Sequence, residues 1–211
     1  MSGPVAIMDR KSTESVPDFT RLHPLQTSWT MWYQESAKGK GGKVDWSQLL
    51  KKLMTFSTVE DFWRLYNYVP KPSEIGVGCD YSLFREGIEP AWEHPGNSKG
   101  GRWVFRIPNS GPRSMDDLWL SLLLSLIGEQ YEDSEPDAIC GVVISIRKSE
   151  NRLALWTKNA QNVDNTKKLG YVSSYKCSSY QGAWFAVLGM KRRVRHALGR
   201  ITFSNVATHT A

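Results

Sequence analysis

Residues 139–157, ICGVVISIRKSENRLALWT, contain the pattern that decides the fold class. Residues 139–147 are rich in β-branched side chains, and residues 152–157 form a second, mainly apolar segment. Only four polar residues, 148–151, separate the two segments, and a connection this short joins neighbouring antiparallel strands. The stretch therefore predicts a β-hairpin and an antiparallel sheet around it.

Two other segments predict helices next to that sheet. Thr58 can cap the first helix and Asp61 follows three residues later, while one face of the helix is apolar through Val59, Phe62, Trp63 and Tyr66. Ser114 is expected to cap a second helix that ends near Gly128. Apolar residues cover most of the circumference of this second helix, so we expect it to be well buried.

The remaining segments complete an α+β pattern. Strands are expected at residues 28–34, 80–85, 102–107, 183–190 and 201–206, and a third helix at residues 163–176; residues 47–56 fit a strand or a helix equally well. Hairpin-linked strands with occasional helices predict an antiparallel sheet covered on one face by helices. The strands and helices do not alternate throughout, which argues against a doubly wound nucleotide-binding fold.

Composition points to a globular protein with a mild preference for polyanions. The chain has 211 residues, 27 basic and 21 acidic, for a formal charge of +6. Residues 1–20 are expected to be a disordered tail and residues 21–211 a single domain. Three cysteines without metal-ligand spacing indicate free thiols. We find no secretory signal, and the most apolar run is too short for a bilayer, so a cytoplasmic or nuclear location is expected.

A loop rich in Pro and Gly holds the first candidate binding residues. Residues 87–103, GIEPAWEHPGNSKGGRW, place Trp92 beside Glu93 where neither a helix interior nor a central strand can form. An indole in a loop can stack on a flat ligand while the adjacent carboxylate accepts hydrogen bonds from the ligand edge. Guanine suits this pair because its Watson–Crick edge carries N–H donors. An ordinary loop anchor, with Trp92 plugging the domain, is the competing interpretation.

Other candidates also have ordinary alternatives. Trp46 follows a Gly/Lys-rich loop and could be exposed, whereas Trp63 and Trp156 default to the core. Arg147 and Arg152 flank the hairpin turn and could bind phosphates or be solvated turn charges. No nucleotide-loop, serine-hydrolase or metalloprotease motif occurs, and the histidines lack ligand spacing. We therefore expect neither an enzyme nor a metal or other cofactor.

Several of these segments, in the same order and spacing, resemble the eukaryotic translation initiation factor 4E family. The matching segments lie between residues 22 and 160; they are His23–Gln26 with Trp29 and Trp32, residues 58–63, 78–84 and 87–93, Gly100–Trp103, Trp119-Leu120, residues 126–129, Cys140-Gly141 and Trp156-Thr157. The resemblance implies a curved, eight-stranded antiparallel sheet with three helices on its convex face and a slot for the mRNA cap on its concave side.

The resemblance also implies roles for individual residues. Trp46 and Trp92 would sandwich 7-methylguanine, Glu93 would accept hydrogen bonds from the guanine N1 and N2 groups, and the Trp92 backbone N–H would reach O6. Trp156 would contact the methyl group, and the phosphates would face Arg102, Arg147 and Arg152. The ligand is thus expected to be capped mRNA, bound by a monomer.

A second surface is implied for a protein partner. It consists of His23, Pro24, Val59, Trp63 and Leu120, and would receive a helix with a Tyr-x-x-x-x-Leu-apolar motif. Ser121 departs from the family, since most members have an acidic residue there. The resemblance therefore leaves two functions open: recruitment of mRNA to translation initiation through a scaffold, or repression through a regulatory protein. The basic segment 191–200 could extend the phosphate surface.

Overall fold

The computed structural model describes residues 21–37, 48–107, 115–129 and 138–162, together with the backbone of residues 112–114 and 201–205. The elements in chain order are β1 Pro24–Gln34, β2 Leu50–Thr58, α1 Val59–Tyr68, a 3-10 turn Pro72–Glu74, β3 Asp80–Arg85, β4 Gly101–Ile107, α2 Pro112–Ile127, β5 Ile139–Ser145, β6 Asn151–Thr157 and β7 Ile201–Asn205. None of the helices described in these ranges is long and apolar enough to cross a membrane.

The strands form one curved, open antiparallel sheet in the order β2-β1-β3-β5-β6-β4-β7. The predicted α+β class is confirmed. The described residues contribute seven strands and two α-helices to it. The third helix predicted at residues 163–176 and the strand predicted at residues 183–190 lie outside the described residues, so the expected totals of eight strands and three helices stay predictions.

The hairpin that decided the fold class is present as β5 and β6. Val143 faces Ala154 and Ser145 faces Arg152 across the pair. The first strand ends at Ser145, two residues before the predicted end, and the backbone N–H of Arg147 turns to the side chain of Asn151 at 3.0 Å. An Asn side chain that accepts a backbone N–H in this way stabilises a turn.

The predictions for where the two helices begin had different outcomes. Thr58 caps α1 as predicted, and its side-chain oxygen accepts the Asp61 N–H at 3.2 Å. The prediction for α2 was wrong by three residues, because a helix capped by Ser114 would begin at residue 115, whereas α2 begins at Pro112 and Ser114 lies within its first turn. Proline is favoured at a first helical position, since its φ is already helical and no N–H is left without a partner.

Alternation along the strands gives the sheet two chemically different faces. One face packs against α1 and α2 to form the main core, which includes Trp29, Leu83, Ile144 and Leu155 from strands and Phe62, Leu122 and Leu126 from helices. The opposite face, which we call the open face, carries a row of cross-strand neighbours: Trp32, Ser82, Val143, Ala154 and Val104. The candidate site lies on the open face.

A partly buried ion pair fixes the end of α2 to the sheet. Arg85 donates to Glu129 at 2.9 Å, to the Ile139 carbonyl at 2.9 Å and to the Thr27 hydroxyl at 3.0 Å. Its guanidinium carbon also lies 4.9 Å from the centre of the Trp29 ring. Glu129 adopts a left-handed φ of 47°, which ends the helix and turns the carboxylate toward Arg85.

Candidate functional site

A cavity of about 750 Å³ lies on the open face. Its floor comes from strands, and one side comes from the loop between β3 and β4, residues 86–100. The lining residues are Trp32, Gln34, Leu50, Asp80, Ser82, Glu89, Pro90, Ala91, Trp92, Glu93, Arg102, Val104, Val143, Ser145, Arg147, Arg152, Ala154 and Trp156. The volume falls within the range of ordinary ligand pockets, which is about 300–1,000 Å³.

The structure brings six of the seven predicted ligand-binding residues to this one cavity. They are Trp92, Glu93, Arg102, Arg147, Arg152 and Trp156. Trp46, the seventh, lies outside the described residues. Trp92 and Glu93 come from the loop, whereas the other residues come from β4, β6 and the β5–β6 turn.

The two described tryptophans of the set are in direct contact. The Trp92 ring stacks on Trp156 with centroids 3.5 Å apart and an interplanar angle of 23°. Trp156 is 5% exposed and meets Phe84 edge-on, with centroids 5.5 Å apart. The three rings form a small apolar cluster on the open face with Cys140 and Ala154. One face of the half-buried Trp92 indole is therefore covered by the protein itself.

The loop holds Trp92 through Asn97, a residue that the sequence did not single out. Asn97 is 1% exposed, and its Nδ2 donates at 2.8 Å both to the Glu89 carbonyl and to the Ala91 carbonyl. Its own carbonyl accepts the Gly100 N–H at 2.8 Å. Trp92 lies between these anchored points, and within the described ranges no group accepts its backbone N–H.

Glu93 presents acceptors without donors. The residue is exposed, and its carboxylate makes no hydrogen bond or ion pair with the described part of the chain. Within the described residues, both of its oxygens can therefore accept hydrogen bonds from a ligand that offers N–H groups. Its neighbour His94 turns back into the loop, where its Nδ1 accepts the Gly96 N–H at 3.1 Å.

The three arginines of the cavity are not equivalent. Arg102 is half-buried, and burial lowers its pKa, with a further contribution from the positive charge of Arg152. The guanidinium carbon of Arg102 lies 4.7 Å from the centre of the Trp92 ring. The positive charges of Arg102 and Arg152 repel each other next to the Trp92 ring. An anion bound between them would offset this repulsion, so the pair favours anion binding.

Arg147 is bound by an acid that sequence reasoning missed. It donates to the two carboxylate oxygens of Asp80 at 2.7 and 3.2 Å, and Asp80 is 9% exposed. It also donates to the carbonyls of Cys79 and Ile146. Arg147 therefore enters the cavity already oriented and largely neutralised.

The predicted partner surface lies on the other side of the sheet, on α1 and around it. The Val59 N–H donates to the His23 carbonyl at 2.9 Å, and Pro24 pairs with Thr58. Trp63, on the next turn of α1, is 37% exposed and packs edge-on against Tyr66. These four predicted residues, His23, Pro24, Val59 and Trp63, thus occupy one end of α1.

The His23 side of this surface is held by a carboxylate. Glu60 accepts from the His23 backbone N–H at 2.9 Å and lies 2.6 Å from His23 Nδ1. These contacts, the side-chain one first, lower the pKa of Glu60 to about 2.

The α2 side of the surface contributes Leu120, which is half-buried against the core. Burial, and then the carboxylates Asp116 and Asp117 at the start of α2, raise the pKa of Tyr66 in α1 to about 12. Ser121 is 8% exposed and donates to the Asp117 carbonyl at 2.7 Å, one turn back in its own helix. Ser121 therefore offers neither charge nor a free donor at this surface.

Comparison with known families matches residues 24–176 to the family described as eukaryotic initiation factor 4E. The chain belongs to this family. Translation initiation factor 4E of Aplysia californica is 44% identical over 155 residues, which cover 73% of this chain and 70% of the relative. The family membership expected from the motifs is confirmed.

Two solved structures extend the similarity to the fold. Ascaris suum eIF4E-3 in complex with an m2,2,7G cap is 39% identical with a TM-score of 0.69, and the match covers 74% of this chain and 85% of that one. C. elegans eIF4E-3, in complex with the 4E-binding protein Mextli and a cap analog, is 39% identical with a TM-score of 0.68, covering 75% and 87% of the two chains.

Proposed function

We propose that this chain is a non-enzymatic cap-binding protein that holds the 7-methylguanosine 5′ end of mRNA. The observation that carries the proposal is the convergence of Trp92 and Glu93 with Arg102 and Arg152 in one cavity. A stacking surface, a pair of acceptors and a pair of cations are the three groups that a guanine nucleotide with a phosphate chain requires. The solved cap complexes of two family members support the same ligand.

The base is assigned to the loop side of the cavity. Trp156 covers one face of Trp92 and the Arg102 guanidinium carbon lies over the ring at 4.7 Å, so the guanine would replace Arg102 on the face away from Trp156, with Trp46 as the second wall. Methylation at N7 makes the base cationic and adds cation–π attraction to stacking, which by itself is worth about 1–3 kcal/mol per base. Glu93 would then select guanine by accepting from N1 and N2. The contact of Trp156 with the methyl group, which the resemblance implies, would require Trp92 to leave Trp156, because the two rings stack on each other in this structure.

The phosphates are assigned to the arginines. Arg102 and Arg152 would each donate charge-assisted hydrogen bonds, worth about 1.5–3 kcal/mol apiece. Arg147 would add a contact from a fixed orientation, since Asp80 already holds its guanidinium group at 2.7 Å. The basic segment 191–200 would extend this surface along the mRNA.

The sharpest test is a tryptophan-fluorescence titration that compares 7-methyl-GTP with GTP. The wild-type chain should bind the methylated nucleotide far more tightly. Trp92→Ala, Trp46→Ala and Glu93→Ala should each weaken that binding strongly, whereas Trp63→Ala on the other side of the sheet should leave it unchanged. Equal affinity of the wild-type chain for the two nucleotides would sink the proposal.

We further propose that the surface of His23, Pro24, Val59, Trp63 and Leu120 binds a scaffold protein that brings the capped mRNA to translation initiation. The partner would dock a helix with a Tyr-x-x-x-x-Leu-apolar motif. The exposed Trp63 edge and the apolar positions around it suit the apolar side of such a helix. The complex of C. elegans eIF4E-3 with the 4E-binding protein Mextli supports a protein partner of this kind.

One observation favours a second candidate function, a cap-binding repressor or adaptor that engages a regulatory protein. Ser121 is buried and bonded within its own helix, so the acidic contact that most family members offer a partner is missing. Purifying the tagged full-length chain from cells and identifying the bound protein separates the two functions. An initiation scaffold supports the first, and a regulatory protein without the scaffold supports the second.

The remaining features of the proposal follow the family. We assign residues 21–211 to one monomeric domain with eight strands and three helices, preceded by a tail, and expect it in the cytoplasm, with the nucleus as the alternative location. A 7-methyl-GTP sample should stay intact after long incubation with the protein. Hydrolysis of the nucleotide would contradict the non-enzymatic assignment.

A further inference from the structure

We propose that Asn97 is the positioning residue of the base-binding loop, and that its side-chain amide sets where Trp92 and Glu93 stand over the cavity. The inference rests on the proposed function of that loop. Asn97 itself does not line the cavity. It would act through the backbone on which Trp92 and Glu93 are carried.

The amide joins the two ends of the loop. Its Nδ2 donates at 2.8 Å to the carbonyls of Glu89 and Ala91, which precede Trp92. The backbone of Asn97 is itself fixed on the far side of Trp92, by its N–H to the His94 carbonyl at 2.8 Å and by its carbonyl to the Gly100 N–H at 2.8 Å. Trp92 and Glu93 therefore lie in a short segment that is anchored in front and behind.

The two hydrogen bonds of the Asn97 side chain require an N–H donor group such as the amide nitrogen. Both partners are carbonyl oxygens, so the group between them must offer two N–H donors, and an Asn side chain supplies them. An aspartate of the same shape would place acceptors against acceptors and add a buried charge. Asn97→Asp thus changes the hydrogen bonding with almost no change in volume.

A contribution to folding stability does not by itself explain the environment of the Asn97 side chain. Asn97 is 1% exposed, and its Oδ1 finds no hydrogen-bond partner among the described residues. A buried acceptor without a partner costs free energy. The fold tolerates that cost at the point where the amide orders the loop, which is the arrangement expected of a group that orients a binding site.

The inference is tested with Asn97→Asp and Asn97→Ala in the full-length chain. Affinity for 7-methyl-GTP is measured at a temperature where each variant is folded, together with hydrogen exchange of the loop. We expect affinity to fall roughly tenfold, because a loop that is no longer preorganised must be ordered by the ligand at the expense of binding free energy. Exchange should rise in residues 89–100 while peptides from α2 and β5 stay protected.

Ser125→Ala is the matched control, because Ser125 is also buried, and its hydroxyl donates to the Leu122 carbonyl in α2, away from the cavity. It should lower stability without changing the affinity. An Asn97 variant that binds 7-methyl-GTP within twofold of wild type overturns the inference. So does exchange that rises equally across β5 and β6, because Asn97 would then be a general folding residue. Failure of the proposed function appears separately, as a wild-type chain that does not prefer 7-methyl-GTP over GTP.

Discussion

The close packing of Gly100 against β6 predicts a strong effect of one added methyl group. A Cβ at this position would lie 1.7 Å from the Thr157 carbonyl oxygen and 3.1 Å from the Asn97 carbonyl oxygen. Ordinary van der Waals contact begins at 3.4 Å, so the Gly100 end of the loop would have to move by about 1.7 Å. Neither obstacle is a flexible side chain, since both oxygens belong to backbone.

Gly100→Ala should therefore weaken cap binding as well as stability. The segment that would move carries Trp92, and a loop displaced from its binding geometry loses the preorganisation that supports affinity. We expect 7-methyl-GTP to bind at least about tenfold more weakly. Because the overlap is steric, unfolding in urea should show a loss of about 1–3 kcal/mol, the range for overpacked sites.

Gly87→Ala supplies the control for this substitution. Gly87 has a left-handed φ of 82°, but its Cβ would have no neighbour within 4 Å. The change should cost about 1–2 kcal/mol through backbone strain alone and leave the affinity nearly unchanged. The reasoning is refuted if Gly100→Ala binds 7-methyl-GTP as tightly as wild type, or if Gly87→Ala weakens binding equally.

Three other predictions address charge. Glu129→Ala should lower the unfolding free energy in urea by about 3 kcal/mol, because it removes the carboxylate that balances the partly buried charge of Arg85, whose side chain is 12% exposed. The pKa of Glu60 is lowered from 4.5 to about 2 by its contacts with His23, so the stabilisation by the Glu60 carboxylate is complete above pH 4.5 and disappears as the pH falls toward 2. Glu60→Gln should remove this contribution to the pH dependence of stability, and an acid-unfolding curve identical to that of the wild type would contradict the contact. Arg152→Ala should weaken 7-methyl-GTP binding and make the affinity less dependent on salt concentration, which is measured by titration at several ionic strengths. If the affinity of the variant depends on salt as strongly as that of the wild type, a contact between Arg152 and phosphate is excluded.

Local patterns in the sequence predicted most of the described secondary structure. The β5–β6 hairpin and the Thr58 cap depend on residues within a few positions of each other, so no distant contact was needed to foresee them. Residues 47–56 were ambiguous because their composition suits a strand or a helix. Pairing of Leu50–Thr58 with β1 decides for the strand, and that pairing is a tertiary contact.

The candidate site was only partly predictable for the same reason. Arg147 was expected to face phosphates, but its bidentate partner Asp80 lies 67 residues away in sequence. Asn97 left no signal, because its partners are backbone carbonyls and every residue has one. Trp63, which periodicity assigned to the core and the resemblance assigned to an exposed partner surface, is 37% exposed, because the part of a helix that a sheet covers depends on tertiary packing.

The sequence by itself determined the chemistry available to this protein: a loop that cannot be helix or strand, an indole beside a carboxylate, and arginines around a hairpin turn. Those properties follow from residue type and short spacing, which folding does not alter. Only the tertiary structure decided that loop, strands and turn meet at one cavity, and that Asp80 and Asn97 orient what lies there. Such contacts depend on sheet order and register, which join residues that are distant along the chain.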